Sequence, residues 1–168
     1  MISFSEESEE VLYTSADITA LGQGDMDFLK DRAENTARRR CRLCTHPNPS
    51  SALHEMLIVH AKGAYVRPHK HIGKAESHHV VEGTANALIF DNFGNVRQTI
   101  NLGSHGSGKL FYYRMPAGIF HTLVITSEWF IFHETTTGPF DRNKTVFAPW
   151  SPDESEPEAV ARYIARVL

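Results

Sequence analysis

The sequence has little of what would place it outside the ordinary globular proteins. Its only two cysteines, Cys41 and Cys44, are too few for a disulfide framework and lack the second pair of a zinc ribbon. A formal net charge of −3 over 168 residues supplies no basic excess for a nucleic-acid backbone or an anionic membrane. We therefore expect neither nucleic acid nor membrane as a partner.

Long apolar runs are also missing. No stretch approaches the roughly 20 residues that cross a bilayer. Residues 1–10 are acidic and polar, whereas a signal peptide needs a basic start and an apolar stretch. The sequence thus predicts a cytoplasmic protein. Apolar residues make up 41% and charged residues 22%, the balance of a packed fold, and the length favours one domain over residues 1–168.

Turn and apolar residues divide this domain into three parts. Residues 1–52 are predicted as a helical N-terminal extension. Its amphipathic helix starts at Gly24 or Asp25 and places Met26, Leu29 and Ala33 on one face. Three arginines at 38–40 favour the end of this helix, where cations meet the negative end of the helix dipole. A substrate-phosphate site is the alternative interpretation of these arginines.

Residues 53–135 consist of short aromatic and β-branched segments broken by turn residues, which is typical of an all-β sandwich or jelly-roll barrel. Residues 91–95 contain the Gly and Asn residues of a hairpin loop. The part from 53 to 135 is therefore predicted as the β-barrel. Its strands are expected near 54–60, 64–67, 76–82, 84–90, 96–102, 110–115, 120–126 and 128–135.

Residues 136–168 are predicted as a loop followed by a helix from about Pro157. Ser155 and Glu158 have the spacing of a capping box, and the proline suits the first turn. Apolar residues at helical spacing then form a stripe, so we expect the helix to pack on the outside of the barrel. The stripe consists of Val160, Tyr163, Ile164, Val167 and Leu168.

Histidine is the residue in excess. Six of the ten histidines fall within residues 54–79. His69 and His71 are separated by one residue, so on an extended segment both imidazoles point to the same side and can reach one ion. Gly73 allows a turn that returns the carboxylate of Glu76 to the same ion from the next strand.

A third histidine, His121, follows the turn formed by Pro116, Ala117 and Gly118. Three neutral imidazoles and one carboxylate suit a single divalent transition metal ion, which would be iron, manganese, nickel, copper or zinc. Four protein ligands leave a six-coordinate ion two positions for water, substrate or O₂. The predicted ligands are His69, His71, Glu76 and His121.

These segments resemble the two motifs of the cupin superfamily. The first, from Gly63 to Gly83, agrees at every fixed position; in the second, the early glycine is displaced and the final asparagine is Ile125. A closer resemblance, to the WbuC-type cupin metalloproteins of bacterial surface-polysaccharide gene clusters, covers residues 38–152. It implies a single-barrel metalloprotein. The segments that carry it are 40–47, 53–56, 65–71, 138–141 and 147–150.

The resemblance implies a small polar, carbohydrate-derived molecule as the ligand. Three functions remain open for the predicted site. The first is metal-dependent isomerase or epimerase chemistry, in which the ion polarises a carbonyl or hydroxyl. The second is an Fe(II)-dependent dioxygenase, and the third is a non-catalytic ligand-binding or sensor protein whose metal organises a pocket.

Residues around the predicted ligands supply further candidates. His78 should point into the barrel with the ligands, whereas His79 should face out. Tyr65, Tyr113 and Glu134 are candidates with His78 for catalytic proton transfer, the alternative being satisfied polar groups of the core. Three residues are candidates for substrate binding: Arg67, Lys74 and His46.

The sequence does not assign a single role to two further segments. Cys41, Cys44 and His46 lack the fourth ligand of a structural zinc site. Phe140, Phe147 and Trp150, with flanking prolines, form an apolar C-terminal stretch, which favours either a homodimer interface or packing against the barrel of the same chain.

Overall fold

A computed structural model of the chain describes residues 2–168. Within them, ten strands and two helices make up the regular structure, with a 3-10 turn at Arg142–Lys144. The strands are β1 (Phe4–Ser8), β2 (Val11–Thr14), β3 (Arg40–Cys44), β4 (Leu53–Ala61), β5 (His69–His71), β6 (Glu76–Phe90), β7 (Val96–Gly103), β8 (Tyr112–Met115), β9 (Phe120–Thr137) and β10 (Thr145–Phe147). The helices are α1 (Gln23–Glu34) and α2 (Pro157–Val167).

Two long strands, β6 and β9, pair with each other and run through both halves of a β-sandwich. The first half has the order β1, β2, β3, β4, C-terminal part of β9, N-terminal part of β6, β8. The second half has the order β7, C-terminal part of β6, N-terminal part of β9, β5, β10. Strand pairs within the described chain are antiparallel except β2 with β3. The all-β prediction is confirmed.

The bend between the halves is centred on Gly83. Its φ of +79° lies in the left-handed region that favours glycine, and the β6–β9 register shifts on either side of it. The Ser127 hydroxyl accepts a hydrogen bond from the Thr84 amide at 2.7 Å and also bonds the Trp129 carbonyl. The single strands predicted at 76–82 and 84–90 are therefore one bent strand, as are those at 120–126 and 128–135.

Helix α1 covers the outer face of β3 and β4, and its predicted apolar face is confirmed. Met26, Leu29 and Ala33 are buried in one cluster with Leu43 and Val59. Burial of one leucine side chain of this kind contributes roughly 1.5–3 kcal/mol to stability. The cluster therefore fixes the helix against the sandwich.

The end of α1 differs from the prediction. The helix stops at Glu34, and a tight turn follows in which Thr36 Oγ1 accepts a hydrogen bond from the Arg40 amide at 3.0 Å. Arg39 has a φ of 53°, and Arg40 already begins β3. The arginine run is a turn into a strand, so the assignment of these residues to the helix C-terminus was wrong.

The N-terminal extension is also not purely helical. The strands β1 and β2 form a hairpin, and β2 joins the sheet beside β3. Residues 64–67, predicted as a strand, lie outside regular secondary structure. The helical part of the prediction is confirmed, and the three extra strands extend the first half of the sandwich.

Helix α2 begins at Pro157 as predicted and packs on the second half. Tyr163 is buried, and Ile164 and Val167 contact the cluster of Leu88 and Phe90. The predicted capping box is not formed, because the Ser155 hydroxyl donates to Asp153 at 2.8 Å and the helix N-cap is Glu156. Neither helix within residues 2–168 has the length and apolarity needed to span a bilayer.

Candidate metal centre

Three histidines come together on the second half of the sandwich. His69 and His71 lie on β5, where strand alternation directs both rings to one side, and His69 is the cross-strand neighbour of His121 on β9. One nitrogen of each ring lies within 4.8 Å of the others. The three rings predicted as ligands are thus brought together and form a group that could hold a metal ion.

The outer nitrogen of each ring is already engaged. His69 Nδ1 lies 2.8 Å from the Arg67 carbonyl oxygen, and His121 Nδ1 lies 3.0 Å from the Ile119 carbonyl oxygen. His71 Nδ1 lies 3.1 Å from the Thr145 hydroxyl. Because a carbonyl can only accept, Nδ1 of His69 and His121 carries the proton, and Nε2 keeps its lone pair for an ion.

Glu76, the first residue of β6, completes the group. Its side chain is buried, with Oε1 2.9 Å from His71 Nε2 and Oε2 3.3 Å from His121 Nε2. Burial raises the pKa of this carboxyl, but the contacts with His121 and His71 outweigh burial and hold the pKa well below its usual range. A carboxylate therefore faces the imidazoles.

The protonation of His69 suits metal binding, and that of His71 is coupled to Glu76. Burial, together with the neighbouring His121, lowers the pKa of His69 to about 3, so this ring is neutral at ordinary pH. On His71, the hydrogen bond to Glu76 outweighs burial and raises the pKa, so a proton is held between His71 Nε2 and Glu76 Oε1 and a bound ion would replace this proton. Three imidazoles with inward Nε2 atoms and one ionised carboxylate fit a divalent transition metal ion.

A second group of predicted residues lies beside the metal ligands on the first half of the sandwich. Tyr113 on β8 and Glu134 on β9 are both cross-strand neighbours of His78 on β6. The Tyr113 hydroxyl lies 2.7 Å from His78 Nδ1, and His78 Nε2 lies 3.4 Å from Glu134 Oε2. The structure therefore brings together three of the four residues predicted for proton transfer.

The fourth, Tyr65, lies apart from this group. Its hydroxyl donates to the Pro152 carbonyl at 3.1 Å, and burial raises its pKa to about 12. It lines neither of the two cavities described below. Its contact ties the loop before β5 to the segment before α2.

The three histidines, Glu76 and His78 line a cavity of about 700 Å³. Arg67 reaches it with a guanidinium group that pairs with Asp153 at 2.5 Å and stacks over the Phe147 ring at 5.0 Å. Lys74 is buried, and its Nζ donates to the Pro139 carbonyl at 2.6 Å. Lys74 lines instead a smaller cavity of about 180 Å³ that shares Glu76 with the first.

His46 also lines the smaller cavity. Its ring stacks on His54 at 4.0 Å, and its Nδ1 accepts the Glu55 amide at 3.2 Å. Cys41 and Cys44 are buried free thiols on opposite faces of β3, with Cys41 in the cluster under α1 and Cys44 in the core of the sandwich. Because the two thiols project from opposite faces of β3, they are not placed to bind the same metal ion.

Two residues of the large cavity were missed from the sequence. His60 on β4 and Arg42 on β3 both line its wall. Strand alternation within 40–44 could have placed Arg42 beside the inward-facing residues, but β3 itself was not predicted. Their proximity to the metal ligands depends on the pairing of β3, β4 and β9, which local spacing does not encode.

Comparison with known proteins gives a family model and several solved structures. Residues 21–102, just under half of the chain, match a family described as a domain of unknown function, DUF6016. No curated protein matches the sequence. Protein SO0799 from Shewanella oneidensis is similar in structure, with a TM-score of 0.52 and 12% identity over 73% of this chain and 77% of that chain.

Two further structures are similar at lower scores. KdgF from a Halomonas species has a TM-score of 0.48 and 15% identity, over 62% of this chain and 83% of that chain. A point mutant of Bacillus subtilis oxalate decarboxylase has a TM-score of 0.46 and 21% identity over 58% of this chain, which spans only 24% of the decarboxylase. The chain therefore shares its β-sandwich fold with protein SO0799. At these identities the likeness shows the fold alone.

Proposed function

We propose that this chain is a metal-dependent cupin that binds and transforms a small polar, carbohydrate-derived molecule, with isomerase or epimerase chemistry. One observation carries the proposal: three imidazoles with engaged Nδ1 atoms and the Glu76 carboxylate converge on the wall of a cavity of about 700 Å³. A volume of this size holds a small-molecule ligand. The carbohydrate class is supported by the WbuC-type resemblance of the sequence.

The ion would be held by His69, His71, Glu76 and His121. Bound there, a divalent ion supplies a Lewis acid that polarises a carbonyl or hydroxyl oxygen of the ligand. The carbonyls of Arg67 and Ile119 keep the rings of His69 and His121 in the required tautomer and orientation.

Glu134 is the residue that would move a proton, and His78 and Tyr113 position it. Burial and the charges of Glu76 and Glu134 raise the pKa of Tyr113, so its hydroxyl keeps its proton and donates to His78 Nδ1. The proton of the His78 ring is then on Nε2, which faces Glu134 Oε2 at 3.4 Å. Glu134 also lines the cavity, so its carboxylate can take a proton from the ligand and return it, while the Nε2–H group of His78 holds the carboxylate in place.

The metal centre is tested by a matched pair of histidine variants. His71→Ala removes one ligand and is expected to lose most of the bound metal, whereas His79→Ala removes an exposed ring from the same region and should keep wild-type occupancy. Metal content is measured on proteins purified side by side without chelators. Equal occupancy in the two variants would contradict the coordination set.

The ligand class is tested separately on metal-loaded wild-type protein. A thermal-shift screen covers sugar phosphates, sugar nucleotides and small organic acids, because a ligand that binds only the folded state raises the melting temperature by mass action. We expect hits among the carbohydrate derivatives. A fully metal-loaded protein that none of these compounds stabilises would remove the carbohydrate assignment.

A further inference from the structure

We propose that Arg42 is an anion-binding residue of the large cavity, so that the ligand carries a carboxylate or phosphate group held between this guanidinium and the metal centre. This inference rests on the proposed function, which supplies the metal ion, and it states in addition that the ligand is an anion. It is carried by three observations: the side on which Arg42 projects, its lack of a charged partner, and the charge balance of the cavity wall.

Strand alternation directs Arg42 inward. On β3, Cys41 and Leu43 are buried beneath α1, so Arg42 projects from the opposite face, which faces the interior of the sandwich. Its cross-strand neighbours are Val11 on β2 and Ile58 on β4. Arg42 lines both cavities, and Glu76 lines both as well.

The other inward arginines are neutralised by carboxylates. Arg38 and Arg40 both pair with Glu10, at 3.4 and 3.0 Å, and with Glu154. Arg67 is held by Asp153 at 2.5 Å. Arg142, also on the cavity wall, is exposed to solvent and keeps its hydration.

Arg42 differs from all of these. Its Nε is buried and has no hydrogen-bond partner among residues 2–168, and its guanidinium forms no ion pair within this part of the chain. Burial raises the pKa of Glu10, and the charge of Arg42 opposes this rise from a longer distance than an ion pair. A buried donor of a charged group that stays unsatisfied is costly, so an unpaired guanidinium in a cavity wall indicates that its partner comes from outside the chain.

The charge of the wall favours an anion. Five arginines and five glutamates line the large cavity, so their formal charges cancel. A divalent ion at the histidine centre would leave this wall with two excess positive charges. A ligand with one or two negative charges would restore the balance, and a guanidinium binds carboxylate or phosphate oxygens through two parallel hydrogen bonds.

The test is a calorimetric titration of metal-loaded protein with two probes, inorganic phosphate and malonate. Arg42→Gln is expected to weaken binding of the preferred probe about tenfold or more, the usual effect of removing a hydrogen-bonded charge. Arg142→Gln makes the same charge change on the same cavity wall and should weaken binding less than about threefold. If phosphate binds more tightly than malonate, the anionic group of the ligand is a phosphate ester. If malonate binds more tightly, the group is a carboxylate.

Arg42→Met keeps the apolar stem without placing an amide in the wall, and it carries the test if Arg42→Gln does not fold. Equal weakening by the Arg42 and Arg142 variants, or a metal-loaded wild type that binds neither probe, would overturn the anion site. Metal content measured on the same samples separates the two proposals. An Arg42-dependent anion site in a protein that retains no metal would support the anion site and remove the metal-dependent function.

Discussion

His60 is a buried histidine whose pKa is lowered by the interior of the sandwich. The ring is buried on β4, its Nδ1 has no hydrogen-bond partner among residues 2–168, and it packs edge-on against Phe132. Burial, followed by the nearby His78 and Arg38, lowers its pKa from 6.5 to about 4. The folded protein therefore holds His60 neutral at a pH where the unfolded chain already binds a proton.

The depressed pKa of His60 makes the folded protein less stable at acidic pH. The folded pKa of His60 is depressed, so the unfolded state takes up its proton first, and stability is lost as pH falls from about 6.5 towards 4. The loss at pH 4.5 is expected to be roughly 2–3 kcal/mol. Urea unfolding of wild type and His60→Leu at pH 7 and pH 4.5 measures it. The wild type should lose more stability than the variant, and equal losses would contradict the assignment.

Among single residues, the convergence of the predicted ligands on β5 and β6 could be predicted because their spacing is local. His69, His71 and Glu76 lie within eight positions, and strand alternation alone gives their common direction. Arg42 and His60 could not be predicted, because their approach to the ligands requires the pairing of strands that are distant in the sequence. The prediction for Tyr65 depends on a strand at 64–67, and this segment is not a strand.

At the scale of elements, the predictable strands were those with an apolar inner face. Strand β1, with the sequence FSEES, is largely exposed at the edge of the sheet and offers no apolar alternation. In β3, Arg40 and Arg42 occupy the inward positions, so polar residues stand where a half-buried strand normally has apolar ones. These two inward arginines line the cavity. Because they interrupt the apolar alternation of a half-buried strand, the local sequence at residues 38–42 favours the end of a helix over a strand.

The bend of β6 yields a prediction for two glycines. Gly83 and Gly106 both have positive φ, +79° and +84°. A Cβ on Gly83 would overlap the Trp129 carbonyl and lie 2.6 Å from Ser127 Oγ, whereas a Cβ on Gly106 would meet nothing within 4 Å. Alanine at either position costs roughly 1–2 kcal/mol from the backbone conformation, and overpacking at Gly83 adds about 1–3 kcal/mol.

Urea denaturation of Gly83→Ala and Gly106→Ala separates these contributions. The Gly83 variant should be the less stable of the two by the overpacking cost. Similar losses in both variants would mean that β6 can shift away from Trp129 without penalty, and that the bend is not fixed by this close approach.

At the scale of the whole molecule, the C-terminal aromatics divide into two groups. Trp150 packs on Phe90 at 4.9 Å and on Phe120 at 5.7 Å, both in the same chain. Phe140 and Phe147 are 54% and 49% exposed and line the cavity. Packing within the chain therefore accounts for Trp150, and the proposed homodimer depends on the two phenylalanines.

Sedimentation velocity tests the dimer. We expect a mass of twice the 18.9 kDa chain for the wild type. The double replacement of Phe140 and Phe147 by serine should give a monomer mass, because it removes the exposed apolar surface that a second copy of the chain would bury. Phe93→Ser, at an 85% exposed position in the β6–β7 turn, is the matched control and should remain dimeric. A wild type that sediments as a monomer at high micromolar concentration would remove the dimer proposal.

The continuity of β6 and β9 also determines how the molecule can open. Their pairing joins Glu76 to Thr136 and Phe90 to Phe120, across 60 and 30 positions of the chain, and it crosses from one half of the sandwich to the other without a break in either strand. Neither half can detach unless the same two strands separate. The sandwich therefore behaves as one cooperative unit whose formation waits on distant contacts, which makes its folding slow, and the hairpin β1–β2 at the sheet edge is the part that can fray alone.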